Sequence, residues 1–161
     1  MSEENQQPQP QFGMKRVYLK DASLETPAGV SIFNKQWQPQ VGLDVNSASK
    51  ALDETHYEVN LTLTVTVKNE EETAFLIEVQ QAAIFQISGF EPAQLHHTLG
   101  AYCPTLLFPY AREAVDNLAT KASFPALMLA QVNFDALYAA KMQQVMEQQK
   151  AEQGEADAAA E

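Results

Sequence analysis

Residues 55–88 read THYEVNLTLTVTVKNEEETAFLIEVQQAAIFQIS, and the fold follows from this stretch. Tyr57, Val59, Leu61, Leu63, Val65 and Val67 alternate with His56, Glu58, Asn60, Thr62, Thr64 and Thr66. Successive side chains of a strand point to opposite faces, so this alternation predicts a strand over Thr55–Asn69 with one buried face and one wet face. Its length is well beyond the usual ~5–6 residues and implies an extended sheet. Glu70, Glu71 and Glu72 form a polar hairpin connection, and a second long strand is expected over Thr73–Ser88, stopping at Gly89. There Phe75, Ile77 and Val79 point one way, while Leu76, Glu78 and Gln80 point the other. A leucine thus sits beside a glutamate on the wet face. The run Ala82-Ala83-Ile84-Phe85 has no polar side, so a helix or another subunit is expected to cover it on both faces.

Working outward, two weaker strands precede this pair, at Lys15–Thr26 and at Gln40–Leu52 through Val41, Leu43 and Val45. Between them, Pro27 to Pro39 holds Phe33 and Trp37. Four strands without intervening helices indicate an antiparallel sheet. After Gly89 the period changes. Pro104 is placed to open a helix running to about Lys121, with Leu107, Tyr110, Ala111, Ala114 and Leu118 on one side. Pro109 is expected to kink or break its first turn. Asn133 is an N-cap for a final helix, with Asp135 near the positive end and Phe134, Leu137, Tyr138, Lys141, Met142 and Val145 at helical spacing. Strands first and helices second make this an α+β chain, with no internal repeat.

The chain has 161 residues, which fits one domain, and its 45% apolar content suffices for a core. Ten Lys and Arg stand against 21 Asp and Glu, a formal charge of −11. That balance argues against nucleic acid, whose phosphates need clustered bases. No window approaches the ~18 apolar residues of a membrane helix. The start, MSEENQQPQPQFG, lacks the basic and apolar regions of a secretory signal. A single cysteine, Cys103, forbids an internal disulfide and suits a reducing compartment, so a cytoplasmic location is expected. About half of the charge excess lies in Glu3, Glu4, Glu152, Glu155, Asp157 and Glu161. Residues 1–13 and 149–161 are polar or small and are read as disordered tails flanking a domain at 14–148.

Chemical motifs are scarce. There is no Gly-rich phosphate loop, no Gly-x-Ser-x-Gly elbow and no HExxH helix. His96, His97 and Cys103 come nearest to a metal set, but adjacent histidines diverge on a helix and a fourth ligand is missing. Cys103 lacks an orienting carboxylate and is read as a small buried thiol. The chain is therefore not expected to be an enzyme, nor to carry a cofactor or metal. Surfaces remain. Phe33, Trp37 and Tyr18 either cap the sheet as core or line an apolar groove for an extended polypeptide. Met142, Val145 and Met146 are either core or an adaptable wall.

Five stretches narrow the reading. LKDASLETP (19–27), NKQWQP (34–39), EETAFLIEVQQAAIF (71–85), LGAYCPTLLFPYARE (99–113) and QVNFDALY (131–138) resemble the SecB protein-export chaperones. The resemblance covers about residues 14–148; Gln131 stands where that family often has proline, and both tails are idiosyncratic. It implies a four-stranded antiparallel sheet packed with C-terminal helices, assembled as a tetramer from two dimers. It also implies an ATP-independent holdase that binds unfolded secretory precursors and delivers them to the SecA motor ATPase. The family's motor-docking surface matches Asp21, Glu25, Leu76 and Glu78. Its client groove maps onto Phe33, Trp37, Val41, Leu43, Tyr138 and Met142, with Phe134 and Val45 as neighbours. The competing expectation is a chaperone or adaptor of the same fold with one fixed client.

Overall fold

A computed structural model describes residues 9–158. Four long strands, β1 (Gln11–Glu25), β2 (Pro39–Ala51), β3 (His56–Asn69) and β4 (Glu72–Ser88), form one sheet in the order β1-β4-β3-β2. All three pairings are antiparallel. The fold is α+β, as expected. Gln11 to Gly13, counted with the first tail, belong to β1. Residues 1–8 of that tail lie outside the described residues.

The alternation sorts the sheet into two environments. On β3, Val59, Leu61, Leu63, Val65 and Val67 are fully buried, whereas Thr62, Thr64 and Thr66 on the other side are half-buried. Buried β-branched and leucine side chains each contribute ~1.5–3 kcal/mol relative to exposure, so a one-residue slip of β3 would be prohibitively costly.

The buried face meets a helical rod. It begins at Pro92 with α1 (Pro92–His97), passes through a π-helical segment (Thr98–Tyr102) and continues as α2 (Cys103–Lys121). Pro92 opens the rod at the first turn of α1, and Pro104 lies in the first turn of α2, which ends at Lys121 as expected. A proline inside a helix lacks a donor and clashes with the carbonyl four residues back, and the π-helical turn just upstream rearranges the carbonyls that Pro104 would meet. The helix also runs unbroken through Pro109. Its buried stripe is Leu107, Phe108, Ala111, Val115 and Ala119, packed with Leu61, Leu63, Phe75 and Ile77 in the core. Tyr110, placed on that stripe by spacing alone, is exposed, because the stripe is set about a third of a turn away.

Residues 122–133 are an irregular strap across α2. Asp116 accepts hydrogen bonds from the backbone N–H of Leu127 (2.9 Å) and Met128 (3.1 Å), and Arg112 donates to the Leu129 carbonyl (3.4 Å). Asn133 then caps α3 (Phe134–Ala158), its Oδ1 accepting the Ala136 N–H at 3.0 Å. α3 continues through the segment read as a C-terminal tail, since its Gln, Lys, Ala and Glu residues are good helix formers. Residues 159–161 lie outside the described residues.

On the wet face, the Tyr18 hydroxyl donates to Glu58, and Lys20 approaches the same carboxylate at 2.7 Å. Tyr18 lies opposite Ala82 on β4, and Glu58 is one strand further, so the ring must cross β4 over Ala82. This explains why Ala82 is fully buried on the face without helices. Within the chain, the Tyr18 side chain covers Ala82 there, while Ile84 on the same face stays half-buried. Lys20, then Tyr18, holds the Glu58 carboxyl below its usual range. The hydrogen bond to Glu58 pushes the Tyr18 hydroxyl up to about 12. The depressed Glu58 stabilises the fold above its unfolded pKa of ~4.3, and this is lost as pH falls through the folded value. The raised Tyr18 stabilises below its unfolded pKa of ~10, and this is lost as pH rises through the folded value. Tyr18→Phe should therefore cost about 1.5 kcal/mol near neutrality. In urea denaturation the difference from wild type should shrink at acid pH and again in strong alkali. A pH-independent difference would show that the bond does not form.

Candidate functional site

Two surfaces emerge on opposite sides of the sheet. The first is apolar and begins at the crossover from β1 to β2. Phe33, on a short 3-10 turn (Gly29–Asn34), and Trp37 both stack on Phe124 of the strap, each with ring centroids 5.3 Å apart. Phe124 in turn rests on Phe75 of β4 at 4.6 Å. Asn69, fully buried at the end of β3, brackets Trp37. Its Oδ1 accepts the Gln38 N–H (2.8 Å) and its Nδ2 donates to the Gln36 carbonyl (3.1 Å). Phe33 remains 53% exposed, so the cluster is open on that side.

From Trp37 the chain enters β2, whose inward-facing Val41, Leu43 and Val45 pair with Val67, Val65 and Leu63. α2 packs on β3 and β4 and stops short of this edge, so Val41 is 47% exposed. At ~3.3 Å per residue the strip from Val41 to Val45 is about 13 Å long. It leads into a groove of about 830 Å³ between β2 and α3, lined by Val45, Leu99, Phe134, Tyr138, Met142 and Val145 among others.

Phe134, Tyr138 and Met142 recur every four residues and are the more buried side chains on an otherwise exposed α3. Phe134 is nearly buried and meets Phe108 edge-on at 6.0 Å, so it anchors the helix as much as it lines the groove. Of the eight expected groove residues, Val45, Phe134, Tyr138 and Met142 line this groove, Val41 and Leu43 precede it along β2, and Phe33 and Trp37 sit in the aromatic cluster around Phe124. Leu99 and Gly100 were missed because the π-helical turn that carries them had no signal in the periodicity. Leu137, at 47% exposure, had been placed on the helix by its spacing but not assigned to a surface, whereas Val145, read as core or an adaptable wall, lines the groove. Phe124 was missed because only the strap's path brings it under Trp37.

The second surface lies on the wet face. Glu25 pairs with Leu76, Ser23 with Glu78, and Asp21 with Gln80, so Asp21, Glu25, Leu76 and Glu78 share one patch across neighbouring β1 and β4. Leu76 and Glu78 are half-buried, and they point away from Phe75 and Ile77.

The remaining reactive groups are either paired at the surface or buried. His96 Nδ1 hydrogen-bonds the Tyr138 hydroxyl, and His97 Nε2 lies 2.9 Å from the Asp135 carboxylate. Cys103 is fully buried, and desolvation pushes its thiol up to about 12, far from a reactive thiolate. Among the described residues no cluster of His, Cys, Asp and Glu could hold a metal.

Residues 5–145 match the family described as preprotein translocase subunit SecB. The chain belongs to the SecB family. It is 56% identical to the protein-export protein SecB of Pseudomonas syringae pv. tomato over 143 residues, covering 89% of this chain and 87% of that one. It is 58% identical to that of Pseudomonas fluorescens (strain Pf0-1), covering 86% of each chain. The protein-export protein SecB of Alkalilimnicola ehrlichii is 53% identical over 96% of this chain and 82% of its own length. Among solved structures, the SecB-like chaperone of Mycobacterium tuberculosis, in complex with a ChAD peptide from the HigA1 antitoxin, has a TM-score of 0.61. It covers 75% of this chain and 90% of its own at 18% identity, so the likeness is one of fold.

Phe124 carries the aromatic end of this SecB surface. Truncating it to alanine should cost about 3 kcal/mol and shift the emission of Trp37, the sole tryptophan, to longer wavelength. Unchanged emission would show that Trp37 does not rest on Phe124.

Proposed function

We propose that this SecB protein is an ATP-independent holdase that binds unfolded secretory precursors and delivers them to the SecA motor ATPase. The observation that supports this reading is the groove between β2 and α3, lined by Val45, Phe134, Tyr138 and Met142, with Val41 and Leu43 earlier on the same strand and the cluster of Phe33 and Trp37 at its start. Area buried there by an unfolded client stabilises the complex at ~25 cal/mol per Å². Folded proteins hide such segments and are not captured. Binding, and not turnover, is the activity.

The motor docks on Asp21, Glu25, Leu76 and Glu78. Three carboxylates around one leucine suit a basic partner, by long-range attraction and a central apolar contact. Because this patch and the client surface lie on opposite faces of the sheet, both can be occupied together. The working assembly is a tetramer of two dimers, in which several grooves act multivalently on one client. Two features support it: among the described residues the outer edge of β1 has no strand partner, and Tyr102 and Tyr110 of the helical rod are about half exposed. The protein works in the cytoplasm, where a lone thiol stays reduced; among the described residues no helix is long and apolar enough to cross a membrane.

Light scattering should return a mass near four chains, and a stable monomer would contradict the assembly. The protein should suppress aggregation of several unrelated unfolded precursors without nucleotide. Protection confined to one protein would favour a dedicated chaperone with a fixed client. Glu78→Lys should weaken motor binding about tenfold, a loss that grows at low salt, while client affinity stays at wild-type level. Parallel loss of both would show that the two surfaces are not separate.

A further inference from the structure

Gly100 occupies the middle of the π-helical segment, within a helical rod where alanine has the better intrinsic propensity. Its backbone is not in the left-handed region, so conformational freedom does not account for it. The tertiary contact does. A Cβ placed on Gly100 would lie 2.7 Å from Cδ2 and 2.8 Å from Cε2 of Tyr138, closer than real Cβ atoms come. The ring of Tyr138 therefore rests on the bare backbone of the π-helical turn.

The rest of the socket comes from α1. His96 hydrogen-bonds the Tyr138 hydroxyl, and the ring of His97 meets the Tyr138 ring edge-on at 5.1 Å and 87°. One turn earlier on α3, Asp135 lies 2.9 Å from His97. α3 packs mainly against the π-helical segment, so this socket governs how near the helix comes to the rod. The opposite wall of the groove is β2, held along its length by β3 and also meeting the π-helical segment.

We propose that Gly100 is a positioning residue for client binding: by admitting Tyr138 to its socket, it sets the distance of α3 from β2 and hence the width of the groove. The inference rests on the reading of that groove as the client site. Any side chain at position 100 lifts Tyr138, and with it Met142 one turn on, away from the facing strand. The groove opens and grips an extended client less firmly. The outer, acidic face is untouched.

A double-mutant cycle on the full-length protein decides this, with fluorescently labelled, carboxymethylated α-lactalbumin as a permanently unfolded probe. Gly100→Ala should speed probe dissociation roughly fivefold and raise amide hydrogen exchange in residues 134–145 while leaving β3 and β4 protected. Tyr138→Leu removes the ring that the methyl would strike. Adding Gly100→Ala to Tyr138→Leu should therefore produce no further change in dissociation or exchange. Wild-type behaviour of Gly100→Ala, or an equal effect in the Tyr138→Leu background, would overturn the proposal. Should Gly100→Ala alone fail to fold, Tyr138→Leu must restore folding, and failure to do so is equally contrary. Absence of probe binding to the wild type would count against the holdase reading itself, while exchange in α3 of Gly100→Ala would still decide the socket.

Discussion

The opposition between the two faces of β3 and β4 governs this molecule. Every second side chain from Val59 to Val67 is removed from water, and the intervening threonines are not. That alternation forbids register slips, because one step would expose the valine and leucine row and bury the threonines. It also decides where everything else goes. The helical rod must lie on the valine side, and charged groups able to meet a partner must lie on the threonine side.

The rod is narrower than the sheet it covers. α2 protects β3 and β4, while β2 keeps an inward-facing but incompletely covered row at Val41, Leu43 and Val45. α3 stands beside that row without closing on it. The strap from Ser123 to Asn133 supports both ends of the resulting surface: Phe124 seats Phe33 and Trp37, and Asn133 starts the helix that carries Tyr138. A core built with one helix too few for its sheet leaves an apolar surface uncovered along β2.

The strands were legible because their evidence is local. Period-two patterning from Tyr57 to Val67 placed β3 to within a residue, and Gly89 marked the end of β4. The patch of Asp21, Glu25, Leu76 and Glu78 was only half legible from local pattern. Leucine at 76 beside Glu78 stands out on the wet face, but Asp21 and Glu25 were named only through the family resemblance, and the pairing of β1 with β4 puts them beside that pair. The helices were less so. Two prolines at 104 and 109 signal interruption, and a π-helical turn that accommodates one of them leaves no periodic trace. The seating of Phe124 beneath Trp37, the crossing of Tyr18 over Ala82 and the contact of Gly100 with Tyr138 depend on distant segments meeting. Residue order alone carries little of that information. The C-terminal segment illustrates a different limit: composition suited to a solvated tail is equally suited to an exposed helix.

The central claim is that client and motor occupy opposite faces of one sheet. Methyl NMR of the protein titrated separately with an unfolded precursor and with SecA tests it most directly. The precursor should perturb Val41, Leu43, Val45 and Met142 and leave Leu76 unchanged, and the motor should do the reverse. Perturbation of both sets of methyl groups by either partner alone would contradict the account.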